Sequence, residues 1–300
     1  MKNNKLDIQA FFDKATNTIS YLVADIKTKK AMVIDPVLDY DQASGEVDTR
    51  SVENILKSAS DNGYEIIYAF ETHAHADHLS GAPYIKAKTG AKIGIGEHIN
   101  EVQKIFRPVF NATDLKTDGS DFDLLLADGE IVKLGDVEIE VLFTPGHTPA
   151  DVSYKIDDVI FVGDTVFMPD YGTARADFPG GDANKLYSSI QKLLEYPNDT
   201  KLYMCHDYLP KNRKDYAWIS TVAEQRKNIH LIDNETEKDF VTMREKRDAT
   251  LNAPRLLLPS IQVNIRAGRF PKAEQNGVHY LVIPVKAKQF AEQIITNNKN

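Results

Sequence analysis

Thr72-His73-Ala74-His75-Ala76-Asp77-His78-Leu79 places three imidazoles and a carboxylate within six residues, directly after the strand-like run Glu65 to Phe70. Borderline cations such as zinc and iron favour this mixture of nitrogen and oxygen donors. The small Ala74 and Ala76 let the loop fold tightly around one. A lone histidine is ordinarily a hydrogen-bonded core or surface residue, and that is the reading for His98, His230 and His279. The cluster does not fit it.

Three more strand ends deliver the same chemistry. The alternation Val137, Ile139, Val141, Phe143, after the turn Gly135-Asp136, runs into Thr144-Pro145-Gly146-His147. Val152 to Ile156 and Val159 to Val162 flank Asp157-Asp158 as a hairpin that ends on Gly163-Asp164. Leu202 to Met204 leads into Cys205-His206. Loops at the ends of rigid strands are how a scaffold gathers ligands from distant positions. Burying so many titratable groups without a cation would cost several kcal/mol.

Around these ends the expected elements are strands at Ile19 to Ala24 and Ala31 to Ile34, antiparallel neighbours, the second stopped by Asp35-Pro36. A helix capped by Ser51 buries Val52, Ile55, Leu56 and Ala59 and stops at Gly63. A second helix begins near His78 and stops at Gly90, and Asp182 caps a third with Leu186, Ile190, Leu193 and Leu194 on one face. More helix is expected between Ile219 and Arg247, and a closing strand at His279 to Ile283. Strands in both halves, each half with its own helices, imply an α+β fold of two face-to-face sheets with helices outside, an αββα sandwich. With no repeat or low-complexity linker, residues 1–300 read as one domain with a C-terminal extension around 248–300.

The formal charge of −8 argues against a nucleic-acid partner, because phosphate binding needs Lys and Arg patches. The single cysteine, Cys205, forms no intrachain disulfide, and no apolar run reads as a secretory signal or bilayer span. A cytoplasmic protein is the expectation, with no membrane partner. A homodimer is the expected assembly. Cys205 itself reads as a small buried hydrophobe.

The motif His73-x-His75-x-Asp77-His78, followed by Gly146-His147, Gly163-Asp164 and His206, resembles the metallo-β-lactamase superfamily. That resemblance implies two adjacent metal positions: His73, His75 and His147 at one, Asp77, His78 and His206 at the other, and Asp164 between them. Two subfamilies are similar in ligand set. Hydroxyacylglutathione hydrolases, the glyoxalase II type, use paired metals, and persulfide dioxygenases use one Fe(II).

Gly146-His147-Thr148-Pro149, Arg175-x-Asp177-Phe178, His206-Asp207-Tyr208 and Ser220-Thr221-Val222-x-Glu224 resemble the persulfide dioxygenase counterparts. Gly172 to Asp182 and Leu257 to Gly268 resemble a bacterial branch described as β-lactamase-like hydrolases. About ten residues from Leu209 to Trp218, and the tail from Asp248 to Val285, depart from the mitochondrial-type enzymes.

The dioxygenase resemblance implies one Fe(II) per chain on His73, His147 and Asp164, a two-histidine, one-carboxylate triad that leaves positions open for substrate and oxygen. His75, Asp77, His78 and His206 then hold ligand tautomers or water. The implied reaction is oxidation of glutathione persulfide, or a related small persulfide, by O2 to sulfite, in sulfide detoxification. The hydrolase resemblance instead implies two Zn(II) per chain and thioester cleavage, with Asp77 orienting the nucleophile.

Arg175 is the candidate for gripping a substrate carboxylate, set against a structural ion pair with Asp177. Tyr208 is the candidate hydroxyl toward substrate. A non-catalytic metal sensor would show lost ligands, and none is lost. A nuclease would want a basic surface, and the chain is acidic.

Overall fold

Strands buried on both faces show no polar alternation, and β2 below, eight residues with every position buried, is of this kind. The computed structural model describes residues 5–234 and 236–285. The chain opens with β1 (Leu6–Asp13), β2 (Thr18–Asp25), β3 (Lys30–Ile34), β4 (Val37–Asp41), β5 (Glu46–Asp48) and α1 (Arg50–Asp61). It continues with β6 (Glu65–Phe70), β7 (Leu79–Ser80), α2 (Ala82–Thr89), β8 (Lys92–Gly96), α3 (Ile99–Val109) and β9 (Leu124–Leu126). The second half holds β10 (Ile131–Leu134), β11 (Val137–Phe143), β12 (Val152–Ile156), β13 (Val159–Phe161), α4 (Ala183–Leu194) and β14 (Lys201–Tyr203). Then follow β15 (Ile219–Thr221), α5 (Val222–Gln225), α6 (Glu237–Asp248) and α7 (Leu257–Asn264).

These form two six-stranded sheets, ordered β1-β2-β3-β6-β8-β9 and β10-β11-β12-β13-β14-β15, with a small sheet β5-β4-β7 beside the first. The pleat sorts the core into layers. From β2, Ile19, Tyr21 and Val23 pack in the central layer with Val141, Tyr154 and Phe161, while Leu22 packs outward with residues of α1 and α2. From β13 and β14, Ile160 and Leu202 turn to the opposite outer layer beneath α4 and α6. That is the αββα sandwich the sequence implies. Among the described residues no helix is long and apolar enough to cross a membrane.

Several expected boundaries move, each for a tertiary reason. α1 starts at Arg50 with Thr49 at its cap; the Asp39 carboxylate on β4 accepts from Ser51 N and Ser51 Oγ, both at 2.9 Å, and so does the capping. α2 begins at Ala82, not near His78, because Leu79 and Ser80 pair with Leu38 and Val37 of β4. Its left-handed stop at Gly90 is as expected. Between Ile219 and Arg247 the chain first makes an edge strand, β15, antiparallel to β14, and only then turns helical through the capping box Thr221/Glu224.

His279 to Ile283 is not a strand. Among the described residues no strand pairs with it. The Gln262 side-chain amide instead takes up Val282 N and Val282 O, each at 2.9 Å. α7 has no counterpart among the expected elements. From Pro259 to Asn264 every residue of it is buried, so it lacks the amphipathic stripe by which a helix is read.

Candidate metal centre

Four loops converge at one edge of the sandwich, as the strand ends imply. His73, His75, Asp77 and His78 follow β6, His147 follows β11, Asp164 follows β13 and His206 follows β14. The nitrogen each imidazole presents is set by the partner of its other nitrogen. Thr72 Oγ1 donates to Asp35 Oδ2 at 2.9 Å, so its lone pair accepts from His73 Nδ1 at 3.0 Å. His147 Nδ1 donates to Arg175 O at 2.8 Å, His78 Nδ1 to Leu79 O at 3.0 Å and His206 Nδ1 to Asn17 O at 3.2 Å. All four aim Nε2 inward. His75 is reversed: its Nε2 donates to Asp35 Oδ1 at 2.9 Å, with Glu71 Oε2 at 3.3 Å, and Nδ1 faces in.

The inward atoms have no protein partner. His73 Nε2, His75 Nδ1, His78 Nε2, His206 Nε2 and Asp164 Oδ1 are buried without a hydrogen bond. Five such orphans in one place are costly unless a cation takes their lone pairs. The spacing suits one. Asp164 Oδ2 lies 3.6 Å from His147 Nε2 and 3.9 Å from His73 Nε2, and Asp164 Oδ1 lies 3.4 Å from His206 Nε2. Two metal bonds of about 2.1 Å leave donor atoms roughly 3–3.5 Å apart.

Donor atoms of His73, His147 and Asp164 close to within 4.8 Å of one another, and so do those of His75, Asp77 and His78. The His75 ring lies between those of His73 and His78, with centroids 4.0 and 4.2 Å away, so its inward Nδ1 sits where the two groups meet.

The charge states of His73, His78 and Asp77 favour ligation. Burial, then the surrounding imidazoles, pushes His73 well below its ordinary range, and burial and His75 push His78 down to about 4. Burial alone would raise the Asp77 carboxyl, but His206, His78 and His75 hold it at about 2. Neutral imidazoles and an ionised carboxylate are the forms that bind metal. Burial alone would depress His75 too, yet the Asp35 and Glu71 carboxylates raise it well above the usual value.

The sequence reading misses Asp35 and Glu71. Asp35 looks like a strand stop, yet it is 2 % exposed and holds a left-handed φ of 50°. It accepts from Thr72 N at 2.7 Å, Thr72 Oγ1, His75 Nε2 and the Cys205 thiol. Its signal was available, since it ends an apolar strand as the ligands do. Cys205 is buried, and burial and Asp35 drive its thiol pKa well up, so it behaves as the small hydrophobe expected.

Asn264 of α7 is the other missed residue. Its Oδ1 accepts from Ser80 N at 2.9 Å and its Nδ2 donates to His75 O and His78 O, both at 2.8 Å. One amide from the C-terminal segment thus clamps the loop that carries three of the histidines. Asn264→Ala is expected to weaken metal binding roughly 10–100-fold, the usual effect of removing a group behind the ligands, and to cost about 1–3 kcal/mol through the unsatisfied Ser80 N–H. Chelator competition beside urea unfolding measures both, and an unchanged metal affinity would dismiss the clamp.

Above the cluster lies a cavity of about 390 Å³ whose wall includes Asp77, His147, Asp164, Tyr171, Tyr208 and Arg175. Of the two readings of Arg175, the ion pair is the one formed. Its Nε and Nη2 meet Asp177 at 2.5 and 2.7 Å and its Nη1 meets Asn252 O at 2.7 Å, which engages three of its five N–H donors. Its backbone carbonyl is what orients His147. The Tyr208 ring stacks on Tyr171 (4.9 Å, 27°) and His206 (5.5 Å, 24°) and is 36 % exposed on the cavity. His98, His230 and His279 lie outside the cluster, bonded to Glu101, Thr173 and Pro271. The Leu209–Trp218 loop is tied back by Arg213, which grips the buried Asp207.

This fold and donor set define a metal-dependent enzyme, with the metal carried at the ends of the inner strands. The chain belongs to the metallo-beta-lactamase superfamily, whose family model matches residues 14–206. It is 50% identical over 294 residues to a Burkholderia pseudomallei protein called a probable metallo-hydrolase, covering 94% of this chain and 100% of that one. A beta-lactamase hydrolase-like protein of Agrobacterium fabrum is 49% identical and longer, and the chain spans 64% of its length. The human mitochondrial persulfide dioxygenase ETHE1 is 28% identical over 222 residues, 73% of each chain. Among solved structures, ETHE1 from Myxococcus xanthus superposes with a TM-score of 0.70 at 25% identity, over 88% of this chain and 100% of that one.

Proposed function

We propose that this chain is a persulfide dioxygenase, converting glutathione persulfide or a related small persulfide with O2 and water into the thiol and sulfite, with one Fe(II) held by His73, His147 and Asp164. The observation that supports this most is the asymmetry of the cluster. Two imidazoles and one carboxylate close into a compact triad, two of whose members, His147 and Asp164, line the cavity, whereas His75, His78 and His206 are not on its wall. Iron supplies the redox chemistry there. The chain supplies position: Arg175 O and Thr72 Oγ1 fix the two imidazole tautomers, and Asp77, ionised on the cavity wall, is an acceptor that orients substrate or water. Phe167, Tyr171 and Tyr208 form an aromatic side that keeps bulk water from the sulfur. The overall change is RSSH + O2 + H2O → RSH + sulfite + two protons.

One observation favours a second reading, a two-metal thioester hydrolase. His78 Nε2 and His206 Nε2 are also orphaned, and His206 Nε2 lies 3.4 Å from both Asp77 Oδ2 and Asp164 Oδ1, so a second cation has donors waiting. Protein reconstituted anaerobically with Fe(II) is expected to consume O2 and release sulfite in equal amounts with glutathione persulfide. Zinc-loaded protein is expected to leave S-lactoylglutathione intact. Thioester cleavage without O2 uptake would replace the first reading by the second.

A further inference from the structure

We infer that the cavity holds a carboxylate-bearing thiol compound through Arg247 and Arg255, which would make these two arginines, and not Arg175, the specificity determinants. The inference rests on the reading that the cavity takes a small thiol derivative, and it deepens it. The chain has ten arginines. On the cavity wall, Arg175 is committed to Asp177 and Asn252 O, and Arg244 to Asp248 and Thr173 O. The six others are not on its wall, and each reaches a carboxylate or a backbone carbonyl. Arg247 and Arg255 are the two with no such partner among the described residues, and both line this cavity.

The helix dipole is an ordinary explanation for an unpaired arginine, and it does not cover both. Arg247 stands in the last turn of α6, where the helix dipole welcomes a cation. Arg255 stands just before the first turn of α7, where the dipole opposes one. In a chain of formal charge −8, two uncommitted guanidiniums stand in the cavity lining together with the carboxylates Asp77 and Asp164; with a metal taking up those carboxylates, the arginines are the charges left to draw an anion in. No lysine lines the cavity, so its cationic character is all planar fork, which suits carboxylates bidentately. With Asp77, His147 and Asp164 lining the same cavity, a ligand spanning it would place sulfur at the metal and carboxylates at the arginines.

Calorimetric titration of metal-loaded full-length protein with S-methylglutathione, which is not turned over, tests this directly. Arg247→Ala and Arg255→Ala are each expected to weaken binding of the diacid about tenfold, in line with loss of one charge-assisted pair, and to leave binding of its dimethyl ester unchanged. With glutathione persulfide the same variants are expected to raise KM and keep kcat. The inference is overturned if wild-type protein does not bind the diacid, if either variant binds it as the wild type does, or if diacid and ester lose equally. Coenzyme A binding more tightly than the diacid would also overturn it, by assigning the arginines to phosphate. Arginine-dependent binding without O2 uptake would defeat the dioxygenase reading alone, and O2 uptake with unchanged KM in the variants would defeat this inference alone.

Discussion

Asp164→Ala protein is expected to emerge folded, without metal and without activity. Asp164 is the one residue whose two oxygens face both halves of the cluster, Oδ2 toward His73 and His147 and Oδ1 toward His206. Removing a hydrogen-bond partner behind a ligand weakens metal binding roughly 10–100-fold, so removing this carboxylate weakens it by about a hundredfold or more. The folded state should survive, because Asp164 Oδ1 contributes no protein hydrogen bond that the chain would miss. Metal content after dialysis, beside circular dichroism, measures the outcome.

A second readout comes from linkage. Chelation should destabilise the wild type by about 2.7 kcal/mol if metal is present at 100 times its dissociation constant, and should leave Asp164→Ala unmoved. A variant that keeps stoichiometric metal would remove Asp164 from the ligand set under either proposed reaction.

Asp35→Ala is expected to cost about 3–5 kcal/mol of folding stability, the range for removing one member of a buried charged pair. The carboxylate is buried and accepts from Thr72 N, Thr72 Oγ1 and His75 Nε2, so its loss strands three donors at once. It also frees Thr72 Oγ1, whose lone pair sets the His73 tautomer, and the metal loop should loosen with it. Asp35→Asn keeps the shape, but its amide end presents hydrogens to either His75 Nε2 or Thr72 Oγ1, and an intermediate loss is expected. Urea unfolding of metal-free protein separates this from metal loss. A change within about 0.5 kcal/mol, the size of an ordinary surface substitution, would show that Asp35 is not the hub described.

Much of the site was legible in the chain because its signals are local. A strand is recognised by apolar character over a few residues, and the residue after it is placed at a sheet end whatever the rest of the fold does. His73, His147, Asp164 and His206 were found that way, and so was the hairpin β12–β13 with its Asp157-Asp158 turn. Asp182 was read correctly as a cap because its bonds go to Asn184 N and Lys185 N, two and three residues on. The errors fall where partners are distant. β15 is a strand only because β14 lies beside it, and Ser51 is displaced from the cap by Asp39, 12 residues earlier.

The chain by itself determined the αββα architecture, the convergence of seven nitrogen and oxygen donors, and the demand for a cation, since each follows from periodicity and from the cost of burying lone pairs. Tertiary structure alone decided which nitrogen each imidazole offers, that His75 serves Asp35 across 40 residues, and that Asn264 braces the metal loop across 189. It also decided that Arg175 pairs with Asp177, while the guanidiniums of Arg247 and Arg255 have no hydrogen-bond partner among the described residues. The physical reason is the same in each case. Hydrogen bonds and ion pairs are directional and saturable, so a side chain's role depends on which partner reaches it first, and that partner is brought there by the fold.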